Sequence, residues 1–283
     1  MRNVTKIVLF FVFLCCIISA QAQDQLSFGF KTGLSFSNLS GDVDPGEEYT
    51  SNVGFHIGMI FKYKITDLFG IKGEFLYSQK GSEYRYVGPS AFYVQMADNP
   101  FIIQGERDMD LNISNDYIDL PVMAYVRLGP VELSAGVNLS ILAGSSAGGQ
   151  LRFAGTSPFT SNLAFNLDHR YYGDEAGEAL TFEFVTLDIN NEQYQIPLQQ
   201  GAYYEYAVKD GPRYRLFDIG INAEVDFYIN QGLYLGVRGN YGLLDVSRPE
   251  MDITYRSFDD NYPAFRNDKD NQLSIQVSLG FSF

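Results

Sequence analysis

The strongest constraint on this chain is a strict two-residue alternation of apolar and polar side chains, recurring in eight segments of its 283 residues. Alternation of that period places successive side chains on opposite faces of a strand. In the first segment Leu26, Phe28, Phe30, Leu34 and Phe36 oppose Ser27, Gly29, Lys31, Gly33 and Ser35. The second sets Val53 to Tyr63 against a face with His56, Lys62 and Lys64, and the third sets Ile71, Phe75 and Tyr77 against Lys72, Glu74, Ser78 and Lys80. The fourth and fifth carry Asp119 with Arg127, and Glu132, on their polar faces. The sixth carries Asp218, Glu224 and Asp226, and the seventh Arg238. The eighth runs from Leu273 through Phe281 to Phe283. Each is long enough for the roughly 9–11 residues that a tilted strand needs to cross a bilayer. A soluble sandwich also alternates, but its polar face would be the solvated one. Here that face is rich in Gly and Ser with charges of both signs, which suits a narrow lumen filled by side chains.

The connections carry the argument further. Residues 40–51, 87–115, 148–213 and 249–270 form four long links, whereas Thr66–Gly70, Gly129-Pro130 and Asn230–Gly232 form three tight ones, and long alternates with short. All long loops then lie at one end and all tight turns at the other, the arrangement of an even-stranded outer-membrane barrel. The expected fold is therefore all-β: an eight-stranded antiparallel up-and-down transmembrane β-barrel with long extracellular loops. The long links hold nearly all the net charge, −4, −3, −5 and −3 in chain order, so the strands are almost neutral. Within 148–213, two alternating runs, Thr181–Ile189 and Tyr194–Pro197, flank Asn190-Asn191 and predict a β-hairpin. Tyr203, Tyr204 and Tyr206 follow, suited either to a partner or to the loop's own core.

Ahead of the strands, Arg2 and Lys6 precede an apolar run from Ile7 to Ile18 and an Ala20-Gln21-Ala22 cleavage pattern. Residues 1–22 read as a cleaved secretory signal, leaving 23–283 as one barrel domain in the outer membrane. Cleavage removes Cys15 and Cys16, so no disulfide is expected, and leaves 18 basic residues against 34 acidic, a net charge of −16. Such a balance disfavours nucleic acid as a partner.

Several stretches resemble the PorT-like family of small outer-membrane β-barrels in Bacteroidota. They are Gly29-Phe30-Lys31-Thr32-Gly33-Leu34-Ser35-Phe36-Ser37-Asn38, Glu74-Phe75-Leu76-Tyr77-Ser78-Gln79-Lys80-Gly81, Tyr117-Ile118-Asp119-Leu120-Pro121, Asn240-Tyr241-Gly242-Leu243 and the strand ending in Phe283. The resemblance implies an eight-stranded barrel inserted by the barrel-assembly machinery, with Phe281 and Phe283 as the C-terminal assembly signal. It implies no activity, although one member of the family is linked to protein secretion in gliding and pathogenic relatives.

Little in the sequence points to chemistry. The inward Lys31, His56, Lys62, Lys72, Glu74, Asp119, Arg127, Glu132, Asp218, Glu224, Asp226 and Arg238 are expected to form a polar network that plugs the lumen. His56 has no second His nearby, and His169 in the long link beside Asp168 and Arg170 is expected to be solvated. Gly41-Asp42-Val43-Asp44-Pro45-Gly46-Glu47-Glu48 begins like a calcium loop, but Gly46 is one position early and no Glu stands at the twelfth position, so it reads as an acidic turn. No nucleophile, paired-His or phosphate-loop motif occurs, and no catalysis, cofactor or metal is expected. The expected function is a surface-exposed structural or interaction protein, with outer-membrane lipid around it and a surface protein or glycan as partner. The alternatives are a small-solute porin or ligand-binding barrel, and an accessory component of a secretion or gliding system.

Overall fold

The computed structural model describes residues 25–94, 101–157, 160–189, 192–259 and 262–283. The leader and the Asn190-Asn191 turn lie outside the described residues. The strands are β1 (Leu26–Ser40), β2 (Glu47–Thr50), β3 (Asn52–Lys64), β4 (Phe69–Val94), β5 (Phe101–Leu128), β6 (Val131–Ser157), β7 (Ser161–Arg170) and β8 (Phe184–Ile189). There follow β9 (Glu192–Pro197), β10 (Gln199–Gln200), β11 (Phe217–Tyr228), β12 (Leu233–Gly242), β13 (Ile253–Asp259), β14 (Tyr262–Phe265) and β15 (Asn271–Ser282).

Antiparallel ladders lead from β1 to β3, β4, β5, β6, β11, β12 and β15, and β15 pairs again with β1 from Gly29↔Ser282 to Ser40↔Asn271. The sheet is thus closed into a barrel with no free edge along this path. Alternation decides its two faces. Phe30, Ile275 and Val237 stand 56%, 52% and 51% exposed, while their chain neighbours Lys31, Gln276 and Arg238 are 0%, 2% and 2% exposed. A water-soluble sheet would bury the first set and solvate the second, so this outer surface suits hydrocarbon. At the tight end Leu128 pairs with Val131 across Gly129-Pro130. Gly129 takes φ +63°, which L side chains rarely adopt, and Pro130 supplies a φ fixed near about −65°. That combination makes a two-residue hairpin turn.

At the other end the wall outruns the apolar belt. β4, β5 and β6 span 26, 28 and 27 residues, far beyond a bilayer crossing. This corrects the reading of 87–115 and the start of 148–213 as loops: residues 87–94 continue β4, 101–115 belong to β5 and 148–157 continue β6. A bulge makes the extension possible. The β5–β6 register steps from Tyr117↔Leu142 to Asp116↔Gly144, which leaves Ala143 as an extra residue. One extra residue reverses which face each later β6 side chain occupies. Below it Leu133, Val137 and Leu139 point outward; above it Leu151 and Phe153 are buried. β7 then folds back along β6, β2 flanks β4, and the β8–β9 and β13–β14 hairpins close over the inner face. The result is a cap with its own aromatic core, in which Phe92 stacks on Phe165 at 4.9 Å and packs against Phe153 at 5.7 Å.

Candidate functional site

Two regions concentrate buried polar chemistry: the barrel interior and the cap. In the interior, Lys31 lies 2.9 Å from both Glu74 and Glu224, and Arg238 pairs with the same two carboxylates. Lys72 reaches Glu224 at 2.8 Å, Asp226 at 2.9 Å and Glu132 at 3.4 Å, and Lys62 reaches Glu132 at 2.6 Å. Lys31, Lys62, Lys72 and Arg238 thus balance Glu74, Glu132, Glu224 and Asp226 one for one. Buried charges persist only when paired in this way. The Lys62 ammonium also donates to the Tyr228 hydroxyl, which caps the layer toward the tight turns.

The other inward residues form separate groups. Asp119 accepts from the Lys80 ammonium at 2.9 Å and from the Ser140 hydroxyl, and Asn138 joins them. Lys80 belongs to this group although the expected network omitted it; its parity with Lys72 and Glu74 on β4 was the available signal. The ring nitrogens of His56 lie 3.2 Å from Ser35 Oγ and 2.8 Å from Ser278 Oγ, a hydroxyl environment and not a ligand cluster. Asp218 accepts from the backbone N–H of Leu244. Arg127 is half-buried and, at 3.8 Å from the Tyr228 ring, stacks on an aromatic face in place of a carboxylate. Phe281 and Phe283 lie on the outer face, 37% and 72% exposed.

The cap is held by charges that no sequence pattern announces. Arg107 on β5 is 1% exposed and grips Glu205 with two hydrogen bonds of 2.8 Å; it also donates to Ser90 Oγ and the Ala91 carbonyl and covers the Tyr255 ring at 4.3 Å. Burial opposes the Arg107 charge, but Glu205 beside it outweighs that cost and keeps the guanidinium firmly protonated. Arg266 ties Glu47 of β2 to Asp252 and Asp268, and Arg213 donates to Asp252 at 2.7 Å. Glu47 comes from the acidic turn 41–48, where its carboxylate serves Arg266, Tyr84 and the Asp44 backbone N–H.

His169 is buried, not solvated: β7 turns it inward, with Nδ1 3.4 Å from the Tyr171 hydroxyl. Burial, then the nearby Arg213 charge, lowers its pKa to about 3, so it is neutral at ordinary pH. Tyr203, Tyr204 and Tyr206 are likewise interior residues. Tyr203 donates to the Tyr171 carbonyl and Tyr206 to the Met251 carbonyl, both at 2.8 Å. Burial pushes Tyr203 up to about 12, so it remains a neutral phenol. Between Arg107, His169 and Glu205 lies a cavity of about 20 Å³, room for one water. An apolar notch of about 270 Å³ opens beside Tyr206, Val208, Ile253, Pro263 and Phe265.

Among solved structures, the chain is similar to the attachment invasion locus protein Ail of Yersinia pestis at 10% identity and a TM-score of 0.36, covering 92% of this chain and 99% of that one. It is similar to the outer membrane protein OprG of Pseudomonas aeruginosa at 9% identity and a TM-score of 0.37, covering 91% and 95%. It is also similar to neisserial surface protein A at 11% identity and a TM-score of 0.34, covering 90% and 97%. No curated protein matches the sequence. The family model described as outer membrane protein beta-barrel domain matches residues 20–248. A match over that much of the chain, on a closed sheet with an apolar exterior and a charged interior, shows that the protein belongs to the outer membrane protein beta-barrel domain family.

Proposed function

We propose that this outer-membrane protein is an eight-stranded up-and-down transmembrane barrel whose lumen is a plug and whose working surface is the extracellular cap, a structural or interaction role without catalysis. The carrying observation is the interior charge balance, in which Lys31, Lys72 and Arg238 each touch at least two carboxylates. An interior of this width is filled by side chains and offers no aqueous path. The signal sequence is supported by Arg2 and Lys6 ahead of the apolar run Ile7 to Ile18 and by Ala20-Gln21-Ala22. The barrel-assembly route through Phe281 and Phe283 and the PorT-like character are supported by the sequence resemblance. Outer-membrane lipid surrounds the belt, and a surface protein or glycan meets the cap.

Planar-bilayer recording tests the plug, with no stable channel expected from the purified barrel; steady single-channel steps would favour the porin reading. Cross-linking in native membranes tests the cap. Partners captured from the cap of intact cells are expected, and capture confined to the periplasmic turns would overturn the assignment of the working surface.

A further inference from the structure

The β13–β14 hairpin is anchored at its base by an excess of carboxyl groups, two of them buried and one partly buried. Asp252 immediately precedes β13, and Arg266, Asp268 and Asp270 lie between β14 and β15. Asp252 and Asp270 are 0% and 1% exposed, and one carboxyl oxygen from each of Asp252, Asp268 and Asp270 lies within 4.8 Å of the others. Two guanidiniums face these three groups, and both are committed to Asp252: Arg213 to Oδ1 at 2.7 Å and Arg266 to Oδ2 at 2.8 Å. Arg266 approaches Asp268 at 3.4 Å but also carries Glu47. Oδ1 of Asp268 and Oδ1 of Asp270 are buried and accept no hydrogen bond.

The β2 side and the segment after β12 bring further carboxylates toward the trio. The β2 side contributes Asp44, 4.0 Å from Arg266, with Glu47 and the Tyr49 hydroxyl. The segment after β12 contributes Asp245, which accepts from the Asp270 backbone N–H and is paired with Arg215. Tyr206 and Tyr214 flank Arg213 as neutral phenols, Arg248 pairs outward with Glu250, and Lys269 is exposed. A buried carboxylate oxygen without a donor is costly. A protonated carboxyl is itself a donor, so one proton would remove a charge and satisfy an orphan oxygen together.

We propose that Asp252, Asp268 and Asp270 form a proton-binding site that latches the β13–β14 hairpin onto the cap, the hairpin loosening when the proton leaves. Both oxygens of Asp252 already accept from Arg213 and Arg266, which leaves the trio short of free ligand atoms for a divalent cation and favours a proton. Burial, then the Asp252 carboxyl, pushes Asp268 up to about 7, and the same two causes raise Asp270. The latch holds Ile253 and Tyr255 in the core and places Phe265 6.2 Å from Tyr206, over the apolar notch. Loosening it would uncover that notch. The sign follows from linkage. The closed hairpin binds a proton that an open one, with ordinary aspartates near about 3.9, releases, so opening becomes easier as pH rises from about 4 to about 7 and then levels off. This inference stands whether or not the lumen conducts.

Amide hydrogen exchange on the full-length barrel in detergent, corrected for the intrinsic pH dependence of exchange, tests it. Between pH 5 and pH 7.5 the opening constant of residues 253–265 should rise at least about tenfold, with β11, β12 and β15 unchanged. Asp268→Asn, which keeps a donor and removes the charge, should show the same opening at both pH values. If that variant does not give the heat-shifted folded band, Asp270→Asn removes one charge from the same trio and should flatten the response equally. Equal wild-type protection at both pH values, an unchanged pH response in the folded variant, or protection that follows added calcium in place of pH would each overturn the proposal.

Discussion

Arg238 on β12 and Glu74 on β4 form an ion pair across the barrel interior, although their strands are as far apart as the closed sheet permits: the ladders separate them by β15, β1 and β3 one way and by β11, β6 and β5 the other. The pair therefore braces opposite walls, and Lys31 and Glu224 complete a square around it.

Removing one corner should be far worse than removing a pair. Glu74→Ala leaves Arg238 and Lys31 buried with one carboxylate between them, a loss of about 3–5 kcal/mol. The double variant Glu74→Leu with Arg238→Met should recover most of it, because apolar replacements of similar size leave no unpaired charge. Urea unfolding in lipid vesicles measures both; equal losses in the single and double variants would show that the brace is unimportant.

In the cap, Arg107→Ala abandons the buried Glu205 carboxylate and should cost a similar amount, but locally. Because Arg107 lies beyond the apolar belt and pairs with no barrel carboxylate, the heat-modifiable band should persist while added protease cuts the cap. A variant that fails to insert would mean that cap and barrel fold as one unit.

Assembly should depend on the last strand. β15 closes the sheet against β1, and Phe28 and Phe283 exchange backbone hydrogen bonds of 3.1 and 2.8 Å. An open edge in lipid costs several kcal/mol per unpaired group. Phe283→Asp, or deletion of Phe283, should lower outer-membrane abundance and raise periplasmic degradation. Deleting 160–200 removes β7 to β10, which pair with the extension of β6 and with one another, so insertion should survive and the cap should not. Normal abundance of the Phe283 variants in immunoblots of membrane fractions would contradict this.

His169 should make the cap acid-sensitive. Its folded pKa, about 3, lies below the unfolded value near about 6.5, so the unfolded chain binds the extra proton between them. Stability from this site is full above about pH 6.5 and falls as pH drops toward 3, by at most about 1.4 kcal/mol per pH unit. Exchange protection of β7 in His169→Gln should lose this slope. An unchanged slope would assign the acid response elsewhere.

How much of this the sequence determined depends on the range of the interactions involved. Alternation is a property of neighbouring residues, so the outward set with Phe30, Val237 and Ile275 and the inward set with Lys31, Glu74, Glu224 and Arg238 could be read from the chain itself. The rhythm of links further separated the two ends. The pairing of particular charges could not be read, because Arg238 meets Glu74 across 164 residues and only the shear and register of the closed sheet set them at one level. Ala143 shows the same limit more sharply: a single unpaired residue in β6 turns Leu151 and Phe153 from the outer to the inner face, and no local pattern distinguishes a bulge from an ordinary small residue. Tyr203 and Tyr206 were open between partner and core, and His169, expected in solvent, is buried, for a related reason. Polar and aromatic side chains in a long link are solvated or buried according to what folds over them, and here β7, β13 and the Arg107–Glu205 pair make that choice through contacts that exist only once the chain has closed.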